Sequence, residues 1–281
     1  MLKLGEQALA IATELDNPGE IGRCLNLLGA AHYVNGRYQQ AEEYFERALA
    51  IFQERGNRRQ GMDLLSNLGV IAEASGDYDL ALERYQNALE ISRQSGYRDG
   101  EIVFLTNRGG QYVALHNYDL AESDLVEAVR LAGAAGSWVL APTYANLAQA
   151  LLGQGRADEA LVAAQQSLDL GRVDDSPEYT GLAWRALGMI AAHAGEPVSL
   201  KDSETEQTGS YTAEACFEQS VDALMEAGLD GERARTLREW AKYKISSGEK
   251  DKGMALWDES RSIFEKLDAS MEVERMRQPP P

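Results

Sequence analysis

The sequence has few of the residues that build disulfide frameworks and metal sites. It contains only two cysteines and three histidines in 281 residues. Cys24 and Cys216 fall on apolar positions of helical patterns, which predicts two separate buried thiols rather than a disulfide or a metal-binding pair. No two histidines have the spacing of metal ligands, and no Cys-x-x-Cys occurs. We therefore expect no metal and no other cofactor.

Long apolar runs and positive charge are also scarce. No apolar stretch approaches the roughly 18–20 residues of a membrane span, and the N-terminus lacks the basic start and apolar centre of a signal peptide. These two absences predict a cytoplasmic protein that does not bind membranes. With 27 basic and 45 acidic residues the formal charge is −18, which repels phosphate and predicts no direct contact with nucleic acid.

A repeat with a period of about 40 residues dominates what is present. Five positions recur at one fixed interval, and their members are Gly29, Gly69 and Gly109; Tyr38, Tyr78 and Tyr118; Ala41, Ala81 and Ala121; Ala48, Ala88 and Ala128; and Leu25, Leu65 and Leu105. Five parallel series do not arise by chance. The sequence therefore predicts a tandem array of structural units.

Each repeat contains two helical patterns separated by a short break. Leu25, Leu28 and Gly29 lie on one face of a first helix, and Ala41 and Phe45 lie on one face of a second. The small residues allow the two helices to approach closely, and the large residue at the Phe45 position fills the gap between them. The breaks supply a glycine for a positive φ where the first helix ends. The third repeat has His116 at this point, so we expect the cap there to be strained or differently built.

This pattern resembles the tetratricopeptide repeat. The residues that carry the resemblance are Leu25, Leu28, Gly29, His32, Ala41, Phe45 and Ala48 in the first repeat; Leu65, Leu68, Gly69, Ala72, Ala81, Tyr85 and Ala88 in the second; and Leu105, Arg108, Gly109, Tyr112, Ala121, Leu125 and Ala128 in the third. The resemblance implies an all-α fold, a right-handed α-solenoid of antiparallel helix pairs. It departs from the usual period of about 34 residues. The longer period is similar to that of kinesin light chains and Pins-type adaptors, and of the C-terminal arrays of bacterial signalling ATPases and maltose-regulator-type activators.

The repeat sets the expected domain boundaries. Residues 1–16 form a half repeat with only a second helix, residues 17–268 form six helix pairs, and residues 269–281 form a short helix and a proline tail. A second helix without its first leaves an apolar face exposed. Two interpretations follow: the chain is a fragment of a longer protein, or another molecule covers this edge, with self-association as one case.

The fifth pair is interrupted by an insertion at about residues 196–210. The insertion is polar and acidic, and large apolar side chains are nearly absent from it. Its composition predicts a mobile loop between helices. Its serine and threonine content leaves a second interpretation open, a regulatory arm.

No catalytic constellation is visible. His32 fills an aromatic packing position and His116 lies at a turn, so neither is expected to act as a general base. The glycines of Gly153-Gln154-Gly155 follow a helix rather than a strand and lack the rest of a phosphate-binding motif. We therefore expect a protein that is not an enzyme.

The first helices offer candidate binding residues on the face that the packing motif does not use. Asn67, Asn107 and Asn146 occupy one position in three successive repeats. An asparagine amide both donates and accepts hydrogen bonds, so such a series can hold the backbone of a peptide. The resemblance to the kinesin light chain and Pins type implies an asparagine ladder that holds an extended peptide. The alternative is that these amides bond between helices.

Basic and aromatic residues share this face. The basic ones are Arg23, Arg185, Arg238 and Lys242, and the ring-bearing contacts are Tyr33 and Tyr144. In an acidic chain, cations on one inner surface favour an acidic or carboxylate-bearing ligand. Ion pairs with nearby Asp or Glu are the alternative. The sequence thus predicts a protein–protein interaction module that binds an extended peptide in a concave groove. The other candidate is a sensor region of a larger signalling or transcription-regulating ATPase.

Overall fold

The computed structural model describes residues 2–133, 139–201 and 207–280. Within this part the chain forms helices and one two-stranded sheet. In order they are α1 (Leu2–Glu14), α2 (Pro18–Val34), α3 (Tyr38–Glu54), α4 (Arg58–Ser75), α5 (Tyr78–Ser95), α6 (Arg98–Ala114), α7 (Tyr118–Ala132), α8 (Leu140–Gly153), α9 (Ala157–Val173), α10 (Pro177–Ala194), β1 (Val198–Lys201), β2 (Thr208–Tyr211), α11 (Ala213–Glu226), α12 (Asp230–Ser246), α13 (Lys250–Lys266) and α14 (Ser270–Arg275). The predicted all-α array of tandem antiparallel helix pairs is confirmed.

The chain divides into two compact units. Unit 1 contains Met1–Phe104 and Leu267–Met271, and unit 2 contains Leu105–Lys266 and Glu272–Pro281. In unit 1, α1 packs against α2, α2 against α3, and α4 against α5. In unit 2 the packed pairs are α8 with α9, α10 with α11, and α12 with α13, while α10 also contacts α8 and α12.

The packing glycines explain why the two helices of a pair approach so closely. A Cβ added at Gly69 would lie 2.5 Å from Cε1 of Tyr85, a ring that is completely buried. The same relation holds in unit 2, where a Cβ at Gly109 would lie 2.6 Å from Cγ of Leu125. A methyl group at either position would overlap the large residue of the second helix. The predicted glycine-to-large-residue contact is therefore confirmed.

Two turns in each repeat use a positive φ. The turn from first to second helix has it at Gly36, Gly76, His116, Gly155, Gly195 and Gly248. The turn from second to first helix has it at Asp16, Gly56, Gly96, Gly133, Asp175, Gly228 and Asp268. The sequence predicted the first set, including the strained His116 at φ 59°. It missed the second set because aspartate replaces glycine at three of those positions. Aspartate tolerates this conformation better than most residues, since its short polar side chain bonds locally.

His116 allows a test of this backbone strain. We expect His116→Gly to be more stable than His116→Ala by about 1 kcal/mol, because only glycine adopts a positive φ without a Cβ clash. Both variants lose the 2.6 Å hydrogen bond between His116 Nδ1 and the Tyr118 hydroxyl, so that loss cancels in the comparison. Urea denaturation measures the difference. Equal stability of the two variants would show that this turn carries no strain.

The insertion in the fifth pair differs from the predicted loop. Residues Val198–Lys201 and Thr208–Tyr211 form an antiparallel hairpin in which Val198 pairs with Tyr211 and Lys201 with Thr208. Val198 and Leu200 are buried in the core of unit 2, and the Tyr211 ring lies 5.1 Å from that of Trp184. The apolar residues alternate with Ser199 and Lys201, a strand pattern that the polar composition of the segment obscured. Residues 202–206 of the insertion lie outside the described part.

Both cysteines are free and buried, as predicted. Burial raises the pKa of the Cys216 thiol to about 12, because the thiolate would lose its hydration. Among the helices that the structure describes, none has the length and apolar character required to cross a bilayer.

Candidate functional site

Unit 1 carries three of the candidate residues on α2 and α4. The Asn67 side-chain nitrogen donates a 3.0 Å hydrogen bond to the side-chain oxygen of Asn26, which joins α4 to α2. Tyr33 is half-buried and its ring lies 5.7 Å from that of Tyr38. Arg23 is exposed and pairs with Glu20 one turn earlier on the same helix. The hydrogen bond between Asn26 and Asn67 therefore connects α2 and α4 through polar side chains.

Unit 2 places Asn107 and Asn146 on the adjacent helices α6 and α8, both half-buried. The hydroxyl groups of Thr106 and Thr143 form a 2.7 Å hydrogen bond that ties these helices together out of contact with water. A Cβ at Gly110 would lie 3.0 Å from the side-chain nitrogen of Asn146, so glycine at this position leaves room for that amide beside α6. The two asparagines are therefore held on a rigid pair of helices.

Tyr144 lies on α8 beside this pair. It is partly buried and packs against the apolar core of unit 2. Its ring therefore contributes to the framework that supports Asn146.

The candidate cations of unit 2 form ion pairs within the chain. Arg185, only 7% exposed, reaches Glu232 with a 2.6 Å distance between Nη1 and Oε2. Arg238 Nη1 lies 2.7 Å from Oε2 of Glu272. Lys242 Nζ lies 2.7 Å from Oε1 of Glu239. Ion pairing was the alternative that the sequence left open for these residues, and Arg23 follows it too.

Two of the acidic partners, Glu232 and Glu239, have pKa values below the usual range of a glutamate. Burial alone would raise the pKa of Glu232, but the charges of Arg235 and Arg185 and their hydrogen bonds lower it to about 2. Burial likewise acts to raise the pKa of Glu239, and Lys242 and Arg238 hold it below its usual value. The charges on α10 and α12 thus largely neutralise one another.

Arg108 stands where α2, α4, α8 and α10 have leucine, and the structure gives it an intrachain partner. Its Nε and Nη2 donate hydrogen bonds of 2.6 and 2.7 Å to the two carboxylate oxygens of Asp124 on α7. Both side chains are nearly buried, at 13% and 10% exposure. The charged pair thus stands where the first two repeats have a buried leucine.

Sequence reasoning missed two residues of these faces. Asn26 occupies a position where no other repeat has asparagine, so no series pointed to it. Glu272 could have been found from the repeat, because it lies one repeat length after Glu232 and Arg275 lies one repeat length after Arg235. The period that revealed the packing motif therefore also identifies Glu272 as the equivalent of Glu232.

Two of the histidines in the part of the chain that the structure describes make ring or hydrogen-bond contacts with tyrosines. In residues 2–133, 139–201 and 207–280, no cluster of three or more His, Cys, Asp or Glu side chains could hold a metal ion. The His32 ring stacks on Tyr44 at 5.2 Å, and His116 bonds to the Tyr118 hydroxyl. What the asparagine sites offer is neutral hydrogen-bond donors and acceptors on helix pairs.

Comparison with known proteins places the chain among helical repeat proteins. It resembles the apo form of RapI, with 19% identity, a TM-score of 0.75, and coverage of 94% of this chain and 90% of that one. It also resembles the Rap conjugation gene regulator of plasmid pLS20, solved with the Phr* peptide, with 15% identity, a TM-score of 0.72, and coverage of 97% and 70%. A Rap protein complexed with competence and sporulation factor gives 12% identity, a TM-score of 0.65, and coverage of 92% and 72%. At these identities the likeness concerns the fold.

No curated protein sequence matches this chain significantly. Family models do. One tetratricopeptide repeat model matches residues 1–54 and 62–134, and a second model of the same repeat matches residues 140–173. Together these segments cover more than half of the chain, and they contain the packing glycines of the first three repeats. The chain therefore belongs to the tetratricopeptide repeat family.

Proposed function

We propose that this chain is a protein-interaction module in which Asn107 and Asn146 of unit 2 hold the backbone of an extended peptide. The observation that carries the proposal is the half-buried asparagine pair on α6 and α8, supported by the Thr106–Thr143 hydrogen bond. Helices fixed in this way present the amides without the entropic cost of ordering a loop. Asn67, paired with Asn26, offers the same chemistry in unit 1.

The chemistry of the amide suits a backbone ligand. Each asparagine side chain has a donor and an acceptor at its tip, and an extended peptide presents one N–H and one C=O at each non-proline residue. Recognition of this kind reads the backbone first and the side chains second. It therefore fits a partner that presents a short extended segment.

Two similar structures support the class of partner. One is a Rap protein solved with the Phr* peptide, and the other is a Rap protein complexed with competence and sporulation factor. Their folds match this chain over 97% and 92% of its length. The proposal extends the binding of a peptide to this chain and leaves the identity of the peptide open.

Intrachain ion pairs limit the contribution that Arg185, Arg238 and Lys242 are expected to make to peptide affinity. Each has a carboxylate partner within the chain, so an acidic ligand at these residues must displace a carboxylate already in place. Neutral backbone contacts at Asn107 and Asn146 have no such requirement. The proposal therefore assigns most of the peptide affinity to the amides.

The test is a screen of short linear peptides against the full chain, followed by titration of the peptides that bind. We expect Asn107→Ala/Asn146→Ala to weaken binding about 30-fold, since two hydrogen bonds of about 1 kcal/mol each are removed. Asn87→Ala is the matched control, because Asn87 is exposed on the second helix α5. Circular dichroism checks that helix content is retained. Unchanged affinity of the double variant would refute the proposal.

A further inference from the structure

A chain of alternating charges runs from α10 through α12 to α14 in unit 2. Its members in order are Arg185, Glu232, Arg235, Glu272, Arg238, Glu239 and Lys242. Each of the three carboxylates in this series lies between two cations, so the guanidinium and ammonium groups share their acidic partners.

The repeat explains the position of Glu272. Glu232 is the third residue of α12 and binds Arg185 of the preceding first helix α10. Glu272 is the third residue of α14 and binds Arg238 of the preceding first helix α12. The contact is the same one, made one repeat length later. On α12, therefore, α14 takes the place of the first turn of a following first helix.

The contacts of α14 with unit 2 centre on Glu272 and on Met276 just after the helix. The Glu272 side chain is fully buried, with Oε2 2.7 Å from Arg238 Nη1 and Oε1 3.5 Å from Arg235 Nε. Met276 is 1% exposed, and its carbonyl accepts a 3.2 Å hydrogen bond from Trp257 Nε1 on α13. The helix has only six residues, too short to be stable without tertiary contacts.

Departure of Glu272 would leave no charge stranded. Arg238 also contacts Glu239 at 3.5 Å, and Arg235 also pairs with Glu232. Glu272 itself would move into water, where a carboxylate is well solvated. By contrast, breaking the Arg185–Glu232 pair would leave a buried guanidinium without that carboxylate, a costly state. The ion pair of α14 is therefore the exchangeable one of the two.

We propose that α14 fills a carboxylate-binding site on α12 and that a partner segment displaces it by supplying its own glutamate. The partner chemistry follows from the present occupant. It is a short helical segment with a glutamate for Arg235 and Arg238 and a large apolar residue four positions later, as Met276 follows Glu272. This inference goes beyond the backbone binding proposed for Asn107 and Asn146 and does not depend on it.

The test supplies the occupant in trans to the full-length chain. The probe is a fluorescein-labelled peptide with the sequence of residues 270–277, and fluorescence anisotropy reports its binding. In Glu272→Lys the new cation repels Arg235 and Arg238, so α14 leaves the site open. We expect this variant to bind the peptide at least about tenfold more tightly than the wild type, the effect of one charge-assisted hydrogen bond pair.

Glu274→Lys is the matched control. Glu274 is exposed on the same helix and pairs with Arg277 rather than with α12, so this variant should bind the peptide no better than the wild type. Adding Arg238→Gln to Glu272→Lys should abolish the gain in peptide affinity. A peptide in which glutamine replaces Glu272 should bind Glu272→Lys no more tightly than it binds the wild type.

Three results would overturn the proposal. They are equal binding by wild type and Glu272→Lys, equal gains in Glu272→Lys and Glu274→Lys, and binding that persists without Arg238. If Glu272→Lys loses helix content, the isosteric Glu272→Gln replaces it and hydrogen exchange gives the readout. Faster exchange confined to residues 270–277 is expected, and unchanged exchange there contradicts a releasable α14.

Discussion

Replacing Asp124 with alanine is expected to lower the free energy of unfolding by about 3–5 kcal/mol. Arg108 and Asp124 are joined by two hydrogen bonds of 2.6 and 2.7 Å, and both side chains are about nine-tenths buried. Alanine would leave the nearly buried guanidinium of Arg108 without the Asp124 carboxylate. A buried charge without a partner is among the most destabilising changes in a protein.

The repeat supplies the matched rescue. Leu28 and Leu68 occupy the position of Arg108 in the first two repeats, and both are buried. The double variant Arg108→Leu/Asp124→Ala should therefore recover most of the loss, because it removes the buried charge and places at residue 108 the leucine that the first two repeats bury. Urea denaturation of the wild type, Asp124→Ala and the double variant measures both effects. A loss below about 1 kcal/mol in Asp124→Ala would show that the pair is effectively exposed to solvent.

Replacing Glu232 with glutamine is expected to destabilise the protein by about 3 kcal/mol at pH 7, and the effect should vanish near pH 2. Arg235 and Arg185 lower the pKa of Glu232 from 4.5 to about 2 despite its burial. A carboxyl with a lowered folded-state pKa stabilises the fold above its unfolded-state pKa. That stability is lost as the pH falls from about 4.5 towards 2.

A series of urea denaturations between pH 7 and pH 2 gives the measurement. The difference between wild type and Glu232→Gln should stay constant above about pH 5 and then shrink with falling pH. Glu274→Gln is the control, because Glu274 and Arg277 are both largely exposed and such pairs contribute little. A difference that does not change with pH would contradict a stabilising role for the ionised Glu232 carboxylate.

The array of helices could be derived from the sequence because the same residue pattern recurs in each repeat. Gly69 and Tyr85 recur as Gly29 with Phe45 and Gly109 with Leu125, and in each case the glycine lies under the large residue. A local steric requirement repeated at a fixed interval is visible without coordinates. The positive φ of His116 followed from the same period.

The hairpin could not be derived in the same way, because the insertion occurs once. Val198 and Leu200 are two apolar residues in a polar segment, and only the apolar surface of unit 2 around Trp184 gives them a reason to form a strand. A two-stranded hairpin is marginal alone and becomes stable through packing. That packing is a tertiary contact with no local signal.

The sequence by itself determined the repeat, the helix pairs, the turns from first to second helix, and the two isolated thiols, because each depends on residues close together in the chain or at a fixed interval. The tertiary structure decided the partners of the charged residues. Arg185 pairs with Glu232 and Arg238 pairs with Glu272, partners that lie 47 and 34 residues apart in the sequence. The sequence of this acidic chain offers many other carboxylates as equally suitable partners. Because Coulomb attraction depends on distance and not on orientation, the packing of the helices determines which ion pairs form.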